Sequence, residues 1–278
     1  MLNIVIPTLN EEGYIGTLLE SLTKQSFKDF DIIVVDANSK DKTVLEAESY
    51  SNRLNLKVVQ SPTKGVSAQR NYGAQLGNAE RILFLDADGI LHANFLEGLI
   101  SGSTKYDVIN CWLRPLSKKP VDKVIYNSYN VIFLEFGQYV WPVAAGSNLY
   151  STRKVFNAIN GFDEGVKIWE DVDYVKRAVR IGAKFGILRK PKIYTSVRRF
   201  ELQGRIFYLK ENFKALSYAV RYGKMPNKDI ASYVMGLDYS KLDPKNKQQQ
   251  DRYKKLLGRY KSYLNRLKIL ADKINILE

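Results

Sequence analysis

The chain opens on the apolar run LNIVI (2–6) and then keeps one rhythm to about residue 110. Strand-like runs DIIVVD (31–36), LKVVQ (56–60), RILFLD (81–86) and YDVINCW (106–112) alternate with helix-period stretches. Those stretches are GYIGTLLESLTKQ (13–25), KTVLEAESYSNRL (42–54), VSAQRNYGAQLG (66–77) and NFLEGLISGS (94–103). Strands alternating with helices of about 10–15 residues predict an α/β fold, a mostly parallel sheet flanked by helices on both faces. IIVV and ILFL are apolar without alternation, as central strands buried on both sides require.

Beyond 110 the pattern loosens. Residues 111–150 are aromatic and irregular, and AGSNLYSTRKVFNAINGFDE (145–164) turns through Gly146, Gly161 and then Gly165 before a helix near Glu170. Between 189 and 224 stand ten basic residues and two acidic ones, read as a basic connector followed by an amphipathic helix. The polar stretch LDPKNKQQQD (242–251) reads as a loop before a last helix. There Leu256, Tyr260, Tyr263, Leu267, Leu270, Ile274 and Leu277 form a heptad-like stripe. Such a stripe suits packing on its own domain, a homodimer or interfacial membrane binding. The expected organisation is a catalytic domain over 1–200 and a basic, amphipathic helical extension over 201–278.

Composition narrows the class. At 278 residues and 45% hydrophobic content the chain can bury a substantial core. Its one cysteine, Cys111, excludes an internal disulfide or a cysteine metal cluster and reads as a buried thiol, which suits a reducing, cytoplasmic setting. The opening residues carry no basic leader, so no secretory signal is expected. The apolar stretch 124–146 is broken by Asn127, Asn130, Glu135 and Gln138, too polar for a membrane span. Net charge is +14, and residues 201–278 hold 17 basic against 8 acidic side chains, a surplus of nine. That bias favours an anionic partner such as a membrane surface, a phosphate-bearing substrate or nucleic acid.

Three acidic stations stand where strands should end: Asp36, then Asp86 and Asp88, then Glu170 and Asp171. Carboxylates at the carboxyl ends of parallel strands converge on the ligand crevice of an open α/β sheet. Asp86 and Asp88, two residues apart in an extended segment, can face the same way, as a divalent cation holding a diphosphate requires. Each has a plainer reading as well. Asp-x-Asp occurs in solvated turns, Asp36 or Asp41 can cap the following helix, and acidic residues suit the start of any helix. His92, the sole histidine, reads as a surface residue at a helix start.

In this order the segments resemble family 2 glycosyltransferases of the GT-A, Rossmann-like fold. The carrying motifs are IVIPTLNEE at the start, VVDANSKDKT (34–43), GVSAQRNYGA (65–74), FLDAD (84–88) and the stretch 145–184 that runs through GFDE to EDVD. The resemblance implies that Pro7, Thr8 and Glu11 line the nucleotide pocket, with Asp36 accepting hydrogen bonds from the base and Arg70 near the donor's ribose or phosphates. It implies that Asp86 and Asp88 hold the donor and a Mg²⁺ or Mn²⁺ ion, and that Asp171 is the base of a one-step inverting displacement. SVRRF (196–200) is similar to a Ser-x-Arg-Arg segment of some members, which would bring Arg198 or Arg199 to the diphosphate. Ala37, Asn38 and Ala145 depart from the family pattern, which bears on the base recognised and on the acceptor loop.

The expected function is transfer of a sugar from a nucleoside-diphosphate donor to a glycan or lipid-linked acceptor, with peripheral contact at the inner face of the cell membrane through the basic C-terminal region. A nucleotidyltransferase would also use a nucleotide, a metal and an α/β sheet, but normally wants a glycine-rich basic loop after the first strand, where this chain has PTLNEEG. Basicity alone suggests a nucleic-acid binder. Three acidic stations would repel a phosphate backbone, so no nucleic-acid partner is expected.

Overall fold

A computed structural model describes residues 1–227 together with positions 266 and 269. The heptad-like stripe of 256–277 and the polar stretch 242–251 lie outside the described residues, and with them the expectations of a dimer or membrane contact built on that stripe.

Four parallel strands form the first half of the sheet: β1 (Leu2–Thr8), β2 (Phe30–Asp36), β3 (Leu56–Gln60) and β4 (Arg81–Leu85). Helices α1 (Ile15–Thr23), α2 (Thr43–Glu48) and α3 (Val66–Leu76) connect them. Every residue of β1 is buried, because it lies between β2 and β4 with helices on both faces. Ile4 and Ile6 pack with Leu18, Leu19 and Leu22 of α1, while Val5 turns the other way against Ala74 of α3. Gly73 lets α3 lie this close: a Cβ there would stand 2.8 Å from Val35 Cγ2.

The second half adds β5 (Gly89–Leu91), α4 (Phe95–Gly102), β6 (Val108–Pro115), β7 (Asn148–Thr152) and β8 (Phe185–Thr195), in the overall order β3-β2-β1-β4-β7-β6-β8-β5. Here β7 runs antiparallel to both β4 and β6, and β5 antiparallel to β8, while β6 and β8 are parallel. Four of the seven pairings are thus parallel, and the departure begins where the strand rhythm of the sequence fades.

Residues 111–150 hold more order than their irregular pattern predicts. After β6 the chain makes a helical excursion: α5 (Pro120–Ser128), a π-helical turn over Tyr129–Phe136 and α6 (Gly137–Val140). Asn130 anchors it, accepting from Leu113 N and donating to Leu113 O, each at 2.9 Å, beside the register shift of β6. Nor is the run from 189 only a connector: Pro191, Ile193 and Thr195 are buried while Lys190 is exposed and Lys192 half-buried, so the segment completes β8 by two-residue alternation. His92 is half-buried rather than at the surface, its Nε2 3.1 Å from the Tyr194 hydroxyl.

The remaining helices are α7 (Arg153–Ala158), α8 (Glu170–Arg180), α9 (Arg198–Gln203) and α10 (Arg205–Tyr222). The expected boundary at 200/201 falls within α9. Arg205 at the head of α10 makes a bidentate pair with buried Asp122 of α5, at 2.6 and 2.8 Å. Cys111 is buried, as expected, and burial pushes its thiol pKa far up. No described helix is long and apolar enough to cross a membrane.

Candidate active site

The carboxyl ends of β1, β2 and β4 open on one crevice. Thr8 and Asp36, the last residues of β1 and β2, are register partners, and the Thr8 hydroxyl donates to Asp36 Oδ1 at 3.0 Å. Ser39 supplies its hydroxyl to Oδ1 at 2.5 Å and its amide to Oδ2 at 2.8 Å. Asp36 is therefore buried and fixed in orientation at the strand end, and it does not cap α2. That task falls to Asp41, whose Oδ1 accepts the Thr43 amide at 3.0 Å. Pro7, one residue before the end of β1, is buried beside Val35.

Arg70 organises the next part. It sits on α3, 2% exposed, and its guanidinium donates to Glu170 Oε1 at 2.7 Å, Asp86 Oδ1 at 2.9 Å and the Gly146 carbonyl at 3.3 Å. One buried cation thus ties the end of β4 to the start of α8, which lies a hundred residues beyond Arg70 itself. Gly146 must be glycine for this approach: a Cβ there would lie 2.8 Å from Arg70 Nη2 and 3.4 Å from Asp171 Oδ2. The neighbouring Asn71 holds the GFDE segment, accepting from Phe162 N at 2.8 Å and donating to Phe162 O at 2.9 Å.

A second cation faces the first across Asp86 and Asp88. Arg198, at the start of α9, grips Glu11 with two bonds of 2.6 and 2.7 Å, reaches Asp88 Oδ2 at 3.4 Å and lies over the Tyr14 ring. Glu11 is buried, and burial pushes its pKa above the ordinary value against the pull of Arg198. Asp88 is raised likewise, first by burial and then by Asp86, with Arg198 and Arg199 opposing. Arg199 is half-buried and electrostatically coupled to both carboxylates.

Asp171 lies in the first turn of α8, its Oδ1 accepting its own helix's Val172 amide at 2.8 Å. Burial, then the Glu170 charge, push its carboxyl up to about 7, with Asp86 adding to the rise and Arg70 resisting it. A carboxylate balanced near neutrality is suited to accepting a proton. The residue that launches this helix, Trp169, is left-handed at φ 64°, a strained conformation for a bulky side chain. Its indole packs against Ala215 and Ala219 of α10 and donates to Asn212 Oδ1 at 3.4 Å.

The expected residues thus fall into two linked groups. Asp86, Arg70, Glu170 and Asp171 form one; Glu11, Asp88, Arg198 and Arg199 form the other, with Thr8 and Asp36 at the neighbouring strand ends. Arg70, expected near the donor's ribose or phosphates, lies in the crevice with its Nη1 and Nη2 bonded to Glu170 and Asp86. Sequence reasoning did not single out Asn71, Trp169 or Tyr129, whose burial-raised pKa also feels the Asp171 charge. Their contacts are long-range and leave no local pattern. Among the described residues no group of three His, Cys, Asp or Glu side chains forms a ready metal cage. Asp86 and Asp88 remain as a pair of hard oxygen donors, the Asp86 side chain 39% exposed.

A parallel half-sheet with acidic strand ends and a helix-borne carboxylate across the crevice defines a GT-A enzyme. The family model described as Glycosyl transferase family 2 matches residues 3–156, more than half of the chain, and the chain belongs to that family of glycosyltransferases. It is similar to the amylovoran biosynthesis glycosyltransferase AmsB of Erwinia amylovora, 30% identical over 223 residues, 72% of this chain and 71% of AmsB. It is 26% identical over 203 residues to the poly(ribitol-phosphate) beta-N-acetylglucosaminyltransferase TarS of Staphylococcus aureus strain Mu50, 71% of this chain. The chain spans about a third of TarS, 35% of its length. Among solved structures, the mannosyltransferase PcManGT of Pyrobaculum calidifontis, in complex with GDP-Man and Mn²⁺, superposes with a TM-score of 0.63 at 18% identity, over 98% of this chain and 73% of that one. At that identity the likeness establishes the fold.

Proposed function

We propose that the enzyme moves a sugar from a nucleoside-diphosphate donor to an acceptor hydroxyl in one inverting displacement assisted by a divalent cation, with its catalytic machinery within residues 1–200. The observation that carries this reading is Arg70, which holds the donor-side carboxylate Asp86 and the start of the helix bearing Asp171 around one guanidinium. In the step, the acceptor oxygen attacks the anomeric carbon, its proton passes to Asp171, and the bond from that carbon to the diphosphate oxygen breaks with its electron pair leaving on the nucleotide.

Pro7, Thr8, Glu11 and Asp36 would form the nucleotide pocket, Asp36 offering an oriented carboxylate to the base. Asp86 and Asp88 fit a cation of the Mg²⁺ or Mn²⁺ type, which accepts one or two carboxylates and completes its shell with substrate phosphates. Two buried polar atoms, Arg70 Nε and Ser147 Oγ, have no hydrogen-bond partner, and the Ser147 carbonyl accepts from Asp86 N at 3.4 Å. Such atoms favour a polar ligand at this crevice. When bound, the cation supplies charge stabilisation to the departing diphosphate. Arg198 and Arg199 add positive charge on the same side. TarS acts on poly(ribitol-phosphate), which supports a glycan or polyol acceptor here.

A thermal-shift panel of UDP-, GDP- and dTDP-sugars with and without Mn²⁺ tests the reading, because a ligand of the native state raises its melting temperature. One donor class should raise it, more so with Mn²⁺, and Asp88→Ala should remove the Mn²⁺ increment. If no nucleotide-sugar shifts the melt and none is turned over, the reading is wrong.

A further inference from the structure

The helical excursion between β6 and β7 has two very different ends. At its inner end the Tyr129 hydroxyl donates to the Ala144 carbonyl at 3.4 Å, within the electrostatic reach of Asp171. Its outer end projects large apolar side chains into solvent: Ile132 is 57% exposed, Phe136 68%, Tyr139 83% and Val140 89%. Scattered exposed apolar residues are ordinary, but these four and Phe133, five within nine positions of one short segment, form a patch, and patches mark contact surfaces.

Cations adjoin that patch. Arg189 binds Glu135 in bidentate fashion at 2.5 and 2.6 Å and shares a groove with Phe136 and Tyr139. Arg189 and Lys192 both stand over the Trp112 ring, at 5.6 and 5.3 Å. Burial, and then the charges of Arg114 and Lys190, lower the pKa of the Lys192 amine, so these cations repel one another. Glu135 is taken by Arg189, and no described carboxylate pairs with Arg114, Lys190 or Lys192.

We propose that the outer face of residues 132–140, bordered by Arg114, Lys190 and Lys192, seats on an anionic lipid bilayer. Protruding aromatic and aliphatic side chains suit the boundary between headgroups and acyl chains, while unneutralised lysines and arginines alongside meet lipid phosphates. Docked in this way, the excursion leads from the lipid surface to the crevice that holds Asp171.

Co-sedimentation of the full-length chain with phosphatidylcholine vesicles, with and without phosphatidylglycerol and without any sugar donor, tests the proposal independently of the catalytic reading. Binding should require phosphatidylglycerol and weaken with salt. Phe136→Ser with Tyr139→Ser should reduce partitioning about tenfold or more, and Lys190→Gln with Lys192→Gln about twenty-fivefold, from roughly fivefold per lysine near an anionic surface. Both pairs should keep the wild-type melting temperature, since the first two side chains are mostly exposed and the lysines have no carboxylate partner. Wild type that ignores phosphatidylglycerol vesicles overturns the proposal, as does binding that both variants retain in full, which would assign the contact to the C-terminal basic region. Wild type that instead forms a dimer broken by Phe136→Ser and Tyr139→Ser makes the face an interface between copies and equally overturns it.

Discussion

Asp171 and Arg70 concentrate the chemistry of the crevice into a balance of charges. Three carboxylates stand around one buried guanidinium, so one negative charge at least is poorly compensated, and burial loads that excess onto Asp171, pushed up to about 7. In the proposed role of base, Asp171 would work only when deprotonated, so kcat/KM should rise with pH through about 7 and level off above it. Its effect on stability has the opposite slope. A carboxyl with a higher pKa folded than unfolded binds its proton more tightly in the folded state, so its contribution falls as pH climbs from about 4 to about 7. Asp171→Asn should therefore lower transfer by about 10²–10⁴-fold while raising the melting temperature at pH 8, with the gain shrinking toward pH 5. A variant that loses activity and also melts lower at pH 8 would mean the carboxylate mainly holds the fold. The sequence placed Asp36, Asp86, Asp88 and Asp171 because strand ends and a helix start leave local patterns. The pair Arg70–Glu170 spans a hundred residues and leaves none.

Among elements, legibility followed how each is buried. The first, second and fourth strands announced themselves through IVI, IIVV and ILFL, since strands with both faces covered must be continuously apolar, while β3, an edge strand with no fully buried residue, showed only VV between polar neighbours. β8 was obscured because its inward residues, a proline among them, alternate with lysines, and the helix of residues 120–140 because half of it faces solvent. The junction into α8 was hidden for another reason: its strain is a backbone property that the letters do not carry. Trp169 holds φ 64° while its indole packs against Ala215 and Ala219 of α10 and donates to Asn212, so the start of the helix bearing Asp171 is tied to α10. Replacing Trp169 loses the indole in any case, and the choice of replacement separates packing from strain. Trp169→Gly should be more stable than Trp169→Ala by about 1 kcal/mol, the reverse of their usual order, because only glycine adopts a left-handed conformation without a steric cost. Urea denaturation of the two variants measures the difference, and both should transfer sugar more slowly than wild type.

At the scale of the molecule, the crevice joins opposite ends of the described chain. Glu11 follows the first strand and Arg198 follows the last, 187 residues later, yet their paired hydrogen bonds close the wall that Asp88 also lines. Both are largely buried, so each charge depends on the other. Removing Arg198 alone would leave Glu11 beside Asp88 and Asp86 with less positive charge to offset them, and would force these carboxylates to take up protons or admit water at a cost the pair now avoids. Removing Glu11 alone would leave the guanidinium a weaker contact with Asp88 at 3.4 Å. The two single losses should therefore overlap: a cycle of Glu11→Ala, Arg198→Ala and the double variant, followed by urea denaturation, should give a coupling of about 1–3 kcal/mol, with the double variant more stable than the two losses added would predict. Coupling near zero would mean that the first loop and α9 merely touch. A value in the expected range means that the segment after the sheet belongs mechanically to the catalytic unit, so that any contact made by α9 and α10 bears on the wall of the donor crevice.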